Sequence, residues 1–166
     1  MIDRANNKIT QKFQRGTISV LNLQLFQAPV SGPNGTCTFY TKADKVHMST
    51  FDPAAPPTAV GKGWWQNVDC PADYRANVTA QLQTDTSNPS GSWRNVGSPD
   101  TVYGVPEGKK ATRANARFVC TDSNPNELYL WRSVIDVDIV GHADDANKAL
   151  SNIESLPCRP DGVPTQ

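Results

Sequence analysis

Four cysteines, Cys37, Cys70, Cys120 and Cys158, stand 33, 50 and 38 residues apart in a chain of short alternating segments and turns. That spacing limits the folds open to it. No close-set C-x-x-C pair is present, which removes the common zinc patterns and the thioredoxin-type redox motif. Disulfides are the natural role for thiols so placed, and disulfides belong to oxidising compartments. The competing reading is four buried free thiols, since Cys also behaves as a small hydrophobe. Four cysteines permit three pairings; Cys37 with Cys70 and Cys120 with Cys158 is preferred, although the sequence does not choose among them. Bridges closing loops of that size each contribute roughly 3 to 4 kcal/mol by the chain-entropy argument.

At 166 residues the chain holds one domain with a core and its extensions. Sixteen basic and sixteen acidic side chains cancel, so no global field is expected to hold a nucleic acid or an anionic membrane. No stretch approaches the ~20 apolar residues of a spanning helix. The first residues lack the apolar core of a signal peptide, so the sequence reads as a mature, secreted chain. No cofactor is expected.

Along the chain, residues 1–30 read as an N-terminal extension, an arm followed by a strand. The strand is TISVLNLQLFQA, in which Ile18 and Val20 share one face while Leu21, Leu23 and Leu25 share the other, ahead of Phe26 and a Pro-Gly-rich turn. The one-residue slip predicts a bulge or burial of both faces. Residues 31–160 read as the disulfide-stapled β domain and 161–166 as a loose tail, with all of RPDGVPTQ expected to be loosely held. FDPAAPPTAV carries three prolines and is expected to be a loop. YRANVTAQLQTD alternates as a half-buried strand and turns back into Trp93 to Val96. KATRANARFVC alternates too, with Arg113, Asn115 and Arg117 on one side and Ala114, Ala116 and Phe118 on the other. LYLWRSVIDVDIVG is expected to be the longest strand, with Tyr129, Trp131, Ile135, Val137 and Ile139 inward. Ala146, Ala149, Leu150 and Ile153 recur at helical spacing, which predicts a short helix ended by Pro157. The fold class is therefore mainly β, an antiparallel sandwich or barrel with one short C-terminal helix and two disulfides.

Chemistry is sparsely signalled. His47 and His142 fall in unrelated contexts and no G-x-S-x-G or cysteine-protease signature occurs, so no catalytic residue is assigned. Asp136, Asp138 and Asp144 could offer oxygen ligands to Ca²⁺, but without EF-hand spacing the reading is a solvated acidic face, and no metal is assigned. Trp64 and Trp65 are adjacent, so on a strand they point oppositely and at most one is buried. The other can anchor a glycan or a partner.

GTCTFY, CPADYRANVTAQLQ, the Trp-Arg-Asn-Val-Gly run, RFVC and LYLWRSVIDVDIVGH resemble small secreted β-sandwich proteins of actinomycetes over roughly residues 35–158. More narrowly, the chain resembles the adaptor subunits of the Streptomyces umbrella toxin particles. That resemblance implies a non-enzymatic protein with an N-terminal strap that links a lectin-bearing subunit to a toxin stalk. Ile18, Val20, Leu21, Leu23, Leu25 and Phe26 would then meet a protein partner by adding a strand to its sheet. Two other functions stay open: a carbohydrate-binding module using Trp64 or Trp65, and a protease inhibitor presenting the FDPAAPPTAV loop.

Overall fold

The computed structural model describes residues 26–32, 35–49, 54–85, 91–106, 112–143 and 148–162, with 26–32 and 35–36 described by their backbone pairing. Among them are the strands β1 (Phe26–Gly32), β2 (Gly35–Ala43), β3 (His47–Met48), β4 (Thr58–Asn67), β5 (Ala76–Asp85), β6 (Trp93–Gly104), β7 (Ala114–Val119), β8 (Tyr129–Ile139), β9 (Ala149–Leu150) and β10 (Glu154–Leu156). All pair antiparallel in two sheets. In the first, β4 is central: β2 and then β3 run along one side of it, β7 along the other, and β1 lies outside β2. In the second, β8 and β5 are central, with β6 beyond β5 and the short β10 and β9 on the far side of β8.

Alternation decides which faces meet. Val78, Ala80 and Leu82 of β5 and Trp131, Ile135 and Val137 of β8 are buried against Phe39, Ala43 and Trp65 of the first sheet. Phe39 and Trp65 meet edge to face with ring centres 6.2 Å apart, and Phe118 packs beside Trp131 at 5.6 Å. Two glycines inside β4 explain how closely the sheets approach. A Cβ at Gly61 would sit 2.8 Å from Leu82 and 2.9 Å from Ser133, and one at Gly63 would run into Ile135. The sandwich expected from the alternation is thus present, and its β5–β6 hairpin and the inward set on β8 fall where the pattern put them.

Both disulfides take the sequential pairing, with Cα separations of 4.7 Å for Cys37–Cys70 and 5.0 Å for Cys120–Cys158. The first ties β2 to the corner after β4, where Asn67 caps Cys70 by donating to its carbonyl at 2.8 Å and accepting from its N–H at 2.7 Å. The second joins the end of β7 in one sheet to the segment after β10 in the other. Around it, the Thr121 and Arg159 N–H groups donate to Arg159 and Asp122 carbonyls, and Trp131 Nε1 donates to the Cys158 carbonyl at 3.0 Å.

Four expectations change. No helix occurs among the described residues of the C-terminal segment: Ala149 is buried, Leu150 half-buried and Ile153 55% exposed, so the helical spacing marks no common face. The side of β8 away from β5 carries backbone groups that need partners, and β9 and β10 supply them; Ser151 also donates its N–H to the Ser133 carbonyl and accepts from the Ser133 N–H through Oγ. The proline-rich loop ends at Pro57, because Thr58, Ala59 and Val60 already belong to the central strand β4. Exposed Ala54–Pro57 remain the described loop portion, while 51–53 lie outside the described residues. The longest strand is β6, with 12 residues against 11 in β8. It gains length through a bulge opposite Gln81, whose Nε2 donates to the Leu82 and Val96 carbonyls, both at 2.9 Å. Lastly, RPDGVPTQ is not loose at its start. Pro160 is fully buried, and Asp161 accepts from Thr121 Oγ1 at 2.6 Å and from Arg94.

Candidate functional site

Ile18, Val20, Leu21, Leu23 and Leu25 lie outside the described residues. Phe26 begins β1, whose backbone pairs with β2 from Phe26↔Thr41 to Gly32↔Gly35, so the boundary drawn at residue 30 falls inside a hairpin. Pro29 fits there because β1 is outermost among the described strands, and a residue lacking an N–H is tolerated on an edge strand.

The adjacent tryptophans part as their position on a strand requires. Trp65 is 1% exposed and its Nε1 donates to the Gly104 carbonyl at 3.4 Å, so it belongs to the core. Trp64 faces outward and is half-buried, and the Arg113 guanidinium lies 4.4 Å from its ring centre. The guanidinium therefore covers this face of the indole.

Around Trp64 the register assembles a patch that crosses three strands. Lys42 pairs with Trp64, Tyr40 with Gln66, and Lys62 with Asn115, all on the outward side of the first sheet. Arg117 follows Asn115 on the same side of β7 and is exposed. The Lys42 ammonium lies 5.0 Å from the Tyr40 ring centre, and burial lowers its pKa from the ordinary lysine value. Among the described residues, no carboxylate pairs with Lys42, Lys62, Arg113 or Arg117. Two buried polar atoms lack a hydrogen-bond partner here, Arg113 Nε and Asn115 Oδ1. The backbone of Asn115 is engaged elsewhere, its N–H donating to Asp100 Oδ2 at 2.6 Å across the gap between β7 and β6.

The outward face of the second sheet carries a matching stack with different surroundings. Arg132 lies 4.1 Å from the Trp93 ring centre, and its Nε donates to Gln83 Oε1 at 2.9 Å. Gln83 Nε2 in turn donates to Asn95 Oδ1 at 2.9 Å. Burial lowers the Arg132 pKa, and the nearby Asp85 charge acts in the opposite direction. Farther along this face, Thr79 and Thr101 share a hydrogen bond at 2.9 Å, and Asp136 pairs with Lys148.

The remaining sequence candidates separate. His142 packs against Tyr74 with tilted rings whose centres are 4.7 Å apart, and its Nε2 lies 3.1 Å from the Tyr74 hydroxyl, while His47 Nδ1 lies 3.3 Å from the Lys45 carbonyl. All four cysteines are bridged, so no thiol is available as a nucleophile. Asp136 and Asp138 lie on β8, Asp144 lies outside the described residues, and no group of three or more His, Cys, Asp or Glu converges among those described. Sequence reasoning missed Lys42, Lys62, Arg113 and Asn115 as a group. The alternation in KATRANARFVC put Arg113 and Asn115 on one face, but the neighbour that makes the patch, β4, is known only from the register.

Fold and disulfides define a stapled antiparallel β-sandwich, and no helix among the described residues is long and apolar enough to cross a membrane. No protein-family model, curated protein or solved structure matches the chain. Its two disulfides are compatible with an extracellular setting.

Proposed function

We propose that the chain is a secreted, non-enzymatic binding and assembly module that holds a protein partner through its N-terminal strap, in the manner of an adaptor in an extracellular toxin or adhesion complex. One observation carries this reading. Among the described residues β1 is the outermost strand of its sheet, and the apolar segment holding Ile18 to Leu25 directly precedes it in the sequence. An extended segment placed there can add to a partner's sheet, with backbone hydrogen bonds giving affinity and alternate side chains giving specificity. Deleting residues 1–25 is expected to leave the disulfide-bonded body folded and to abolish co-purification of the partner from culture supernatant. Undiminished capture by the truncated chain would refute the strap.

A second reading, glycan binding, is favoured by the outward position of Trp64 amid polar side chains on the first sheet. Trp65 is buried in the core and has no part in it. Of the loop named for the inhibitor reading, Thr58–Val60 are held in β4, Ala54–Pro57 are exposed, and 51–53 lie outside the described residues.

A further inference from the structure

We infer that Pro29 guards the outer edge of β1 against strand pairing with a second copy of this chain. Whereas the strap concerns where a partner is held, the guard concerns where pairing is prevented. The backbone of Thr38, the residue opposite Pro29 in the β1–β2 ladder, fixes the phase. Its carbonyl accepts from the Val68 N–H at 3.1 Å, and its N–H donates to Asp69 Oδ1. Both backbone groups of Thr38 are thus used on the side of β2 away from β1. In an antiparallel pair, opposed residues either exchange both backbone hydrogen bonds or direct both sets outward. Pro29 and Thr38 are therefore an outward-directed pair, and the Pro29 backbone faces the edge that no described strand covers. The hairpin gives the same phase. Gly32 pairs with Gly35 across a two-residue connection, a closing pair of that kind is hydrogen-bonded, and Pro29 lies three positions away in the opposite phase.

At that edge the alternation presents the backbones of Gln27, Pro29 and Ser31. Gln27 and Ser31 each have an N–H to donate; the residue between them has none. Proline carries a ring methylene where the amide hydrogen would be, so a strand laid along this edge meets carbon where its carbonyl needs a donor. A carbonyl shut away from water without a donor weakens the pairing. Between two copies the loss is doubled, since each edge brings its own Pro29. Residues upstream keep every backbone N–H, because all thirteen prolines lie at position 29 or later.

The other described edges need no such guard. β3 and β9 have two residues each and β10 three, which offers little to an incoming strand. β6 and β7 cover each other: the Asn115 N–H donates to Asp100 Oδ2 at 2.6 Å, and a Cβ on Gly97 of β6 would lie 3.1 Å from the Arg117 carbonyl oxygen of β7. β1, with seven residues, is the long edge left among the described strands.

Sedimentation velocity of the full chain tests the inference, with a second copy as the probe. Pro29→Thr restores the donor and is expected to raise the self-association constant about tenfold or more over wild type. Pro29→Ala restores the same donor and serves if the threonine variant does not fold. Adding Gln27→Pro to Pro29→Thr moves the gap to the neighbouring outward position, and is expected to return self-association to the wild-type level. Wild-type behaviour of both Pro29 variants would overturn the inference. So would a gain that Gln27→Pro leaves intact, because the contact would then lie elsewhere. The strap is tested separately, by capture after deletion of residues 1–25, so either idea can fail alone.

Discussion

Two arginines stack on two tryptophans, one pair on each outward face of the sandwich, and the pairs differ in what surrounds the guanidinium. Arg132 over Trp93 is tied to Gln83, which is tied to Asn95, and it feels the charge of Asp85. Arg113 over Trp64 has lysines and another arginine on its face, no paired carboxylate, and a buried Nε that donates to nothing. The ring contact is the same; the set of acceptors is not. A stack whose donors are met within the chain contributes to the fold. One whose Nε is unmet adds ring contact to the fold but no hydrogen bond from that atom. Cation–π geometry does not by itself tell how firmly an arginine is held; the accounting of hydrogen bonds does.

Removing each arginine should split the pair most clearly. Arg132→Met strips Gln83 Oε1 of its donor and Asp85 of a neighbouring cation, and is expected to cost about 1 to 2 kcal/mol, discounted for partial exposure. Arg113→Met breaks no hydrogen bond and leaves no buried Nε, so its stability should stay within about 0.5 kcal/mol of wild type. Urea midpoints of the two variants compare them directly, and equal losses would erase the distinction.

Supplying the missing carboxylate should make the faces alike. Lys62 lies diagonally across from Arg113 on the outward side of the first sheet. Lys62→Glu is expected to raise stability by about 0.2 to 1 kcal/mol. A urea midpoint equal to or below that of wild type would show that the outward face gains nothing from a carboxylate there.

The smallest effect concerns Lys42, whose folded-state pKa is lowered by burial. A lowered lysine pKa means that the folded state disfavours the ammonium, so the penalty is fully present below the folded pKa. It fades as pH rises from there towards the unfolded value of about 10.4. Lys42→Met should therefore be slightly more stable than wild type at pH 7, with the difference shrinking as the pH passes about 10.4. Thermal melts of both proteins across that range check the sign, and a pH-independent difference would show that Lys42 titrates alike in both states.

Much of the sandwich was legible because period-two alternation is a local signal. Ala76 to Leu82, Ala114 to Phe118 and Tyr129 to Ile139 declare their inward faces without reference to any partner. The segment after Ala149 was misread because a stretch so short follows its neighbour: the unpaired side of β8 makes it extended, whatever spacing its apolar residues keep. β4 was obscured by Gly61 and Gly63, which weaken an isolated strand but are needed where Leu82, Ser133 and Ile135 press against it. The candidate site was legible only in halves. Trp64 was visible as an outward aromatic and Arg113 with Asn115 as an outward pair, yet the two strands are about 50 residues apart in sequence and only their pairing joins them.

The disulfides also decide how this body would behave under tension, a condition any linker between two partners meets. Among the described residues, a pull on the N-terminal side meets β1 first, and its ladder with β2 can be peeled away one pair at a time. Peeling stops at Cys37, whose bridge withholds the 33 residues to Cys70 from extension. From the opposite end, a pull halts at Cys158, and the 38 residues back to Cys120 stay looped. Within the body, only the chain between Cys70 and Cys120 can then pay out, so its extension under load is covalently limited.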